Sequence, residues 1–491
     1  MGRSVPSAVR KIDTGAVCPL LSRPKAPSCQ SCTERAGFTN QIGVSVRKYR
    51  HEIRDPIHVF VHVDSDEREA LDSRPFQRLR HINQLGMTHL LYPGATHRRF
   101  EHSLGVMELA SRVFDVITRD EKITDEIKDL LPELAGREKL PYWRRVLRMA
   151  ALCHDLGHFP FSHAAEKKLL PPGWDHEKMT RKLICGTEMR AIWEDMRPRV
   201  CAEDLAKLAV GPKMAPDLKF KDWEIILAEI IVGDAFGVDR MDYLIRDSHH
   251  LGVAYGRFDH FRLIETLRIL PTPPAGETET EQKRSRELSL GVEKGGLQSA
   301  EALLLARYFM YSQVYLHPIR RIYDIHLSDF LKEWLTEGQF PTELEGHLAL
   351  TDNEVNAAIS EAAKTPNRPG HCHARRILGH EHFKLLYEPS GEDLKINPEA
   401  GEAVYEAAAK EFGESVVRYD RYPEKGGVSE FPVFMKNGET VSSTSISQVL
   451  RSLPLATADY VFIERDLSDK AVHWLDEHKN IIEPQPEEDA L

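Results

Sequence analysis

A histidine and an aspartate stand side by side at positions 154 and 155, with further histidines at 158 and 163, in the stretch CHDLGHFPFSH. Ahead of them Val146, Leu147, Met149, Ala150, Ala151 and Leu152 are apolar almost all round, so Arg144 to Leu156 is expected to form a helix buried in a core. Ionisable groups at the end of such a helix need partners, because unpaired buried charge is expensive. Metal coordination supplies them. Adjacent helical residues lie about 100° apart, so His154 and Asp155 can both reach one ion beside the helix end, and His158 returns one turn later. His102 in FEHS and Asp239 in GVDRMDY extend the pattern to H…HD…D. Two imidazoles and two carboxylates make a mixed nitrogen–oxygen site for a divalent ion such as manganese, iron, zinc, nickel, cobalt or magnesium rather than a thiolate-loving one.

The elements that must position these groups can be read around them. Gly157 and Pro160 stop the helix and open a loop carrying His163. Upstream, Val106, Leu109, Ala110, Val113 and Ile117 recur at helical spacing, which puts His102 at the start of an amphipathic helix, beside Arg98 and Arg99. Before it, HVFVHV (His58 to Val63) alternates like a short strand, and Asp72 and Ser73 can cap a helix through Phe76, Leu79 and Ile82. Downstream, WDHEK brings His176 into the same neighbourhood, and residues 181–237 read as helical. In VDRMDYLIRDSHHLG, Asp239, Tyr243, Arg246, Asp247 and His250 share one helical face. Such a stripe is often only the wet side of a helix, but Asp, Tyr, Arg and His are not the usual Lys and Glu of a wet face.

Farther on, LRIL and LSLGVE pair as a hairpin around an exposed excursion at 273–286, and Ser299 to Phe330 is densely helical. Beyond about residue 335 the pattern is mixed α+β, with FPVFM, ADYVFIE and a helix AVHWLDEH. The expected fold is mostly α: a helical core with a small peripheral β-hairpin and a mixed α+β C-terminal region. The expected division is an N-terminal extension at 1–45, a catalytic core at 46–334, the C-terminal region at 335–480 and an acidic tail at 481–491.

Composition narrows the function classes. The chain has 491 residues, 41% of them apolar and 29% charged, in the range of an ordinary globular enzyme or regulator. No run approaches the ~18 apolar residues that span a bilayer, and the N-terminus has no apolar stretch of signal-peptide length, so no membrane partner is expected. Seven scattered cysteines argue for a reducing cytoplasm over a disulfide framework. Cys29 and Cys32 form a C-x-x-C beside Cys18, but no second pair lies nearby to complete a zinc site. A net charge of −11 speaks against a dedicated nucleic-acid binder while leaving room for a local basic pocket.

R-F-E-H-S-L-G-V, L-C-H-D-L-G-H-x-P-F-S-H, W-x-H-E and V-D-x-x-D-Y-x-x-R-D-x-H-H-L-G together resemble the HD-domain phosphohydrolases, and within them the deoxynucleoside triphosphate triphosphohydrolase branch. The resemblance covers roughly residues 50–330. It implies that His102, His154, Asp155 and Asp239 are metal ligands. It implies that Arg99, Arg240 and Arg307 contact a triphosphate, with Arg240 standing where a member of the branch has lysine. His158 matches a residue beside the α-phosphate, His163 and His176 a proton-transfer pair, and Glu166 stands where an aspartate lies between them. Gln84 and Asp247 match contacts to the sugar 3′-hydroxyl, Leu85 the base-packing position, and Tyr315 an aromatic that crowds a 2′-hydroxyl, with Tyr243 lining the same pocket.

The chemistry agrees with those positions. A metal polarises a phosphoryl oxygen, guanidiniums neutralise phosphate charge, and a histidine can protonate a departing 5′-oxygen. The activity implied is cleavage of a dNTP into deoxynucleoside and inorganic triphosphate. Relatives in the branch form homo-oligomers with activator nucleotides between subunits, which here implies a dimer or tetramer and GTP or a dNTP as activator. Asp72 and Arg80, in DSRPFQRLRHI, match guanine-recognising residues of that site. The stretch upstream departs from the branch's K-V-x-N-D-P-I-H-G at His51, Glu52, Arg54 and Val59. Two rivals stand beside this reading: a phosphodiesterase or phosphatase acting on another nucleotide or single-stranded nucleic acid, and a nucleotide sensor without turnover.

Overall fold

The computed structural model describes residues 50–272, 287–422 and 430–483. The expected N-terminal extension with Cys18, Cys29 and Cys32, the 273–286 excursion and nearly all of the acidic tail lie outside the described residues. The described chain opens with an antiparallel hairpin, β1 (Arg50–Asp55) and β2 (Val59–Asp64), in which Asp55 pairs with Val59 and Arg50 with Asp64. Asp55 shapes its turn, accepting from the backbone N–H of Ile57 at 2.8 Å and of His58 at 2.7 Å.

The helical core follows: α1 (Arg99–Ile117), α2 (Leu140–Cys153), α3 (His176–Ile184), α4 (Ala202–Met214), α5 (Asp222–Val232) and α6 (Val238–Leu251). α1 packs against α2 and α6, and α4 against α2, α3 and α5. α2 is the buried helix of the sequence reading, with Val146, Leu147, Met149, Ala150, Ala151 and Leu152 all fully enclosed. Truncating such a side chain, as in Met149→Ala, costs about 2–5 kcal/mol. Its ends differ from expectation. It starts at Leu140, because Pro141 in the first turn needs no amide partner, and it stops at Cys153, three residues early. Gly157 shows why: a Cβ there would lie 2.0 Å from the His176 carbonyl and 2.4 Å from the Thr180 amide nitrogen. α3 docks on that bare backbone, after Asp175 caps it by accepting from Lys178 N.

The hairpin β3 (Leu267–Pro271) and β4 (Leu288–Glu293) is present, but it belongs to a larger sheet. Strands β5 (Lys384–Tyr387) and β6 (Val417–Tyr422) join the later β9 (Ala458–Ile463) in the order β5-β9-β6. β7 (Pro432–Phe434) and β8 (Thr440–Ser442) extend the hairpin sheet in the order β3-β4-β7-β8. The long helical run predicted from Ser299 is two helices, α7 (Leu297–Met310) and α8 (Pro318–Trp334), separated by a π turn over Tyr311–Tyr315. The principal apolar core runs past residue 335: Phe340, Val355, Ile359 and Ile377 share it with Leu147 and Phe159. Among the described residues no helix is long and apolar enough to cross a membrane.

Candidate active site

The first turn of α1, the end of α2 and the start of α6 converge on one point. His102 Nε2 lies 3.0 Å from Asp239 Oδ1 and 3.7 Å from Asp155 Oδ2, while His154 Nε2 lies 3.5 Å from Asp239 Oδ1 and 3.3 Å from Asp155 Oδ1. The ligand atoms of His102, His154 and Asp239 all fall within 4.8 Å of one another. Asp155 also accepts from Arg99 Nη1, which places Arg99 against the carboxylates rather than in solvent.

These groups fit a divalent cation. His154 Nδ1 donates to the Ala151 carbonyl at 2.8 Å, leaving Nε2 as a lone pair that is buried and has no hydrogen-bond partner. His102 Nδ1 lies 2.9 Å from Asp242 Oδ2; a carboxylate only accepts, so Nδ1 carries the proton and Nε2 faces inward. Burial alone would lower the His102 pKa, yet the hydrogen bonds to Asp239 and Asp242 push it up to about 10. The field that holds a proton there favours a cation equally.

Asp242, quoted in the sequence motif but given no role, is the hub behind the ligands. It is fully buried and accepts from His102, from His58 Nε2 at 2.8 Å, and from Arg246 Nε at 2.7 Å and Nη2 at 3.0 Å. Arg246 is held in turn by Asp55 Oδ2 at 2.8 Å, so the hairpin turn braces the ligand helix. Burial would raise the Asp242 carboxyl, but Arg246 and the two histidines hold it well below the usual carboxylate range. Gly105 is the signal that could have found this hub. A Cβ there would lie 1.9 Å from Asp242 Oδ1, so only glycine lets α1 and α6 close over the pair. The polar stripe of α6 therefore points inward: Arg246 and Asp247 are among the most deeply buried polar residues.

A second group adjoins the first through Asp155, whose Oδ1 lies 3.2 Å from His158 Nε2. His158 Nδ1 donates to Glu166 Oε1 at 2.8 Å, and the Nδ1 atoms of His163 and His176 each lie 3.3 Å from Glu166 Oε2. Three histidines and a carboxylate this close could hold a metal by distance alone. The ring geometry argues otherwise: His158 and His176 stack with centroids 4.0 Å apart and planes within 17°, so their lone pairs run side by side rather than toward a common point. The group is a set of titratable side chains joined through Glu166. Burial opposes ionisation of Glu166, but His158 and His176 hold it well below the usual range, so it stays anionic and orients both. His163 is exposed and His176 only partly buried, which leaves both within reach of a ligand.

The loop carrying His158 and His163 is fixed from outside the helical core. Phe161 and Ser162 have left-handed φ values of 56° and 54°, strained for non-glycine residues. Asp352 accepts from Phe161 N through one oxygen and from Asn83 N through the other, both at 2.8 Å, and Arg78 Nη1 donates to the His158 carbonyl at 2.8 Å. Ser162 Oγ then accepts from Arg99 Nε at 2.7 Å, so Arg99 joins both polar groups.

The remaining expected residues are linked by contacts around α6 and the π turn. Asp247 Oδ2 accepts from Tyr315 OH at 2.6 Å, and the Tyr315 ring lies 6.1 Å from that of Tyr243 and 5.1 Å from that of Tyr311. The π turn aims Tyr315, as such insertions often do at functional sites. Arg307 reaches over Tyr311 at 5.8 Å, half-buried. Arg240 is half-buried too, but one of its nitrogens donates to the Gly233 carbonyl at 3.2 Å, the end of α5, so part of its role is helix capping. Gln84 has a buried side-chain oxygen without a partner, and Leu85 is buried next to it.

Asp72 and Arg80 lie on the surface, each with a local partner: Asp72 with Arg68 at 3.2 Å, and Arg80 with Gln77 at 2.9 Å and over the Phe100 ring. Ser73, not Asp72, caps the following helix, which ends at Arg78 and continues as a single 3₁₀ turn to His81.

Family models match this architecture in two places. The HD domain covers residues 99–210, which hold both polar groups except Asp239, and the HD associated region covers 258–387, which holds Tyr315 and Asp352. A hypothetical protein from Aquifex aeolicus has a similar crystal structure, with 32% identity, a TM-score of 0.69, and coverage of 87% of this chain and all of that one. An uncharacterized protein of Methanocaldococcus jannaschii is 36% identical over 272 residues, 55% of this chain and 47% of its own. The deoxynucleoside triphosphate triphosphohydrolase SAMHD1 of Gallus gallus is 29% identical over 374 residues, 69% of this chain and 55% of its own. The chain thus spans about half the length of these two relatives.

Proposed function

The chain belongs to the HD-domain phosphohydrolases, and from that premise we propose that it hydrolyses deoxynucleoside triphosphates to a deoxynucleoside and inorganic triphosphate. The observation that carries the reading is Tyr315 hydrogen-bonded at 2.6 Å to Asp247, which lies on the helix that carries Asp239 of the His/Asp group. A tyrosine and carboxylate so paired suit a sugar with a 3′-hydroxyl and no 2′-hydroxyl, which a phosphatase or phosphodiesterase acting on another nucleotide does not need, while a sensor without turnover has no need of the His/Asp quartet. The name carried by the SAMHD1 relatives supports the same substrate.

His102, His154, Asp155 and Asp239 would hold a divalent ion, which when bound polarises a phosphoryl oxygen and acidifies water. Arg99, Arg240 and Arg307 would meet the triphosphate charge with planar donor forks. His158 would sit against the α-phosphate. His163 or His176 would give a proton to the departing 5′-oxygen, with Glu166 holding the imidazoles in register. Gln84 and Asp247 would take the 3′-hydroxyl, Leu85 the base, and Tyr243 and Tyr315 the sugar face. Asp72 and Arg80, both exposed, are assigned to an activator nucleotide, GTP or a dNTP, in a homo-oligomer. The free thiols of Cys153, Cys185, Cys201 and Cys372 accord with a cytoplasmic setting.

The test is turnover of each dNTP and the matching ribonucleotide with Mn²⁺, with and without GTP. Turnover of dNTPs alone, lost in Asp239→Ala, is expected. Equal use of ribonucleotides would overturn the assignment of Tyr315.

A further inference from the structure

The two residues assigned to the sugar 3′-hydroxyl, Gln84 and Asp247, come from distant parts of the chain, and one residue touches both. His97 sits in the loop just before α1 and is only 3% exposed. Its carbonyl accepts from Gln84 N at 3.0 Å, and its Nε2 lies 2.7 Å from Asp247 Oδ1. Because an ionised carboxylate only accepts, Nε2 carries the proton and donates. Tyr315 holds the other oxygen, so both ends of a carboxylate that is 1% exposed are fixed by charge-assisted bonds. Burial and the Asp247 charge push the Tyr315 phenol well above its ordinary pKa, so it stays a donor. The His97 ring is itself immobilised by stacking on His250, with centroids 4.4 Å apart and planes within 13°.

We propose that His97 is a specificity-positioning residue: it sets the Asp247 carboxylate and the Gln84 backbone so that the pocket selects a sugar bearing a 3′-hydroxyl. The inference rests on the dNTP reading. Without the His97 donor, Asp247 keeps only its bond to Tyr315 and can swing about it, so the oxygen it offers the 3′-hydroxyl is no longer fixed in place. Discrimination against a sugar lacking that hydroxyl then falls, while the His/Asp group is untouched. His97 is absent from the residues that the sequence singled out, since nothing in ATHRRF marks it apart from its neighbours.

The experiment compares kcat/KM for a dNTP and its 2′,3′-dideoxy analogue in wild type, His97→Leu, His97→Asn and His97→Gln, with metal content and Tm measured in each. The Gln amide nitrogen reaches about where Nε2 lies; Asn falls short and Leu cannot donate. The ratio is expected to fall ~10-fold in the Leu and Asn variants, chiefly through KM for the dNTP, and to stay within ~3-fold of wild type in the Gln variant. Metal content should not change. Should the Leu variant fail to fold, the Asn–Gln contrast decides. Asn and Gln variants with the same ratio would overturn the role of His97 while leaving the dNTP reading intact. A wild-type protein that turns over no dNTP would overturn both.

Discussion

Asp242 Oδ2 lies 2.9 Å from His102 Nδ1, on the side of the imidazole away from Asp239 and Asp155. That bond sets which nitrogen of His102 faces the ion site, and the same carboxylate neutralises the buried Arg246. Asp242→Asn should keep the shape but weaken the acceptor, lowering metal affinity ~10–100-fold. Asp242→Ala should cost about 3–5 kcal/mol of stability by taking the buried acceptor from His58 and His102 and leaving Arg246 to rely on Asp55. Metal titration followed by elemental analysis checks the first, and thermal denaturation the second.

Glu166 holds three imidazoles, and its anionic state depends on theirs. Glu166→Gln is isosteric but cannot stabilise an imidazolium, so kcat should fall ~10²–10³-fold with KM and metal content nearly unchanged. A matching loss in metal content would instead mark Glu166 as part of the ion site.

Tyr315→Phe removes the bond to Asp247 but keeps the ring, whereas Tyr315→Ala removes both. The ribonucleotide-to-deoxyribonucleotide ratio of kcat/KM should rise little in the Phe variant and ~10–100-fold in the Ala variant, if steric crowding sets the discrimination. Steady-state kinetics with paired substrates reads this directly.

Asp352 couples the C-terminal part of the chain to the loop carrying His158 and His163, and its pH behaviour has a definite sign. Burial lifts its carboxyl from 3.8 to about 6, more than the amides of Asn83 and Phe161 lower it. A folded pKa above the unfolded one means that its contribution to stability is full below pH 3.8 and lost as pH rises through 6, at most about 3 kcal/mol. The stability of wild type relative to Asp352→Asn should therefore decline between pH 4 and 7. A flat difference in denaturation profiles would contradict it. The variant should also show kcat reduced ~10-fold, through slackening of the Phe161–Ser162 turn.

Much of this site was legible in the sequence because its chemistry is local in the chain. His154, Asp155, His158, His163 and Glu166 fall within thirteen residues, and a buried helix that ends in charge advertises a ligand. Helical period located His102 and the face of α6 but could not tell whether that face was wet; the answer lay in Asp242 and Gly105, which meet across 137 residues of chain. The partners of the ligands were illegible for the same reason. Asp55, His58, His97 and Asp352 act through contacts between residues 150 to 269 positions apart, with no local pattern to announce them. The π turn at Tyr311–Tyr315 also escaped notice, since neither glycine nor proline interrupts YSQVY. The ends of α2 moved for reasons that only packing reveals: a proline in its first turn, and α3 docked on Gly157.

The identity of the phosphate product shows which bond of the nucleotide is cleaved. Purified protein with Mn²⁺ is given a single dNTP, with GTP present and absent, and the products are resolved by ion-exchange chromatography against Asp239→Ala. Inorganic triphosphate and deoxynucleoside are expected in equal amounts, absent in the variant. Pyrophosphate or single phosphate would contradict this and move the cleaved bond away from the 5′-oxygen.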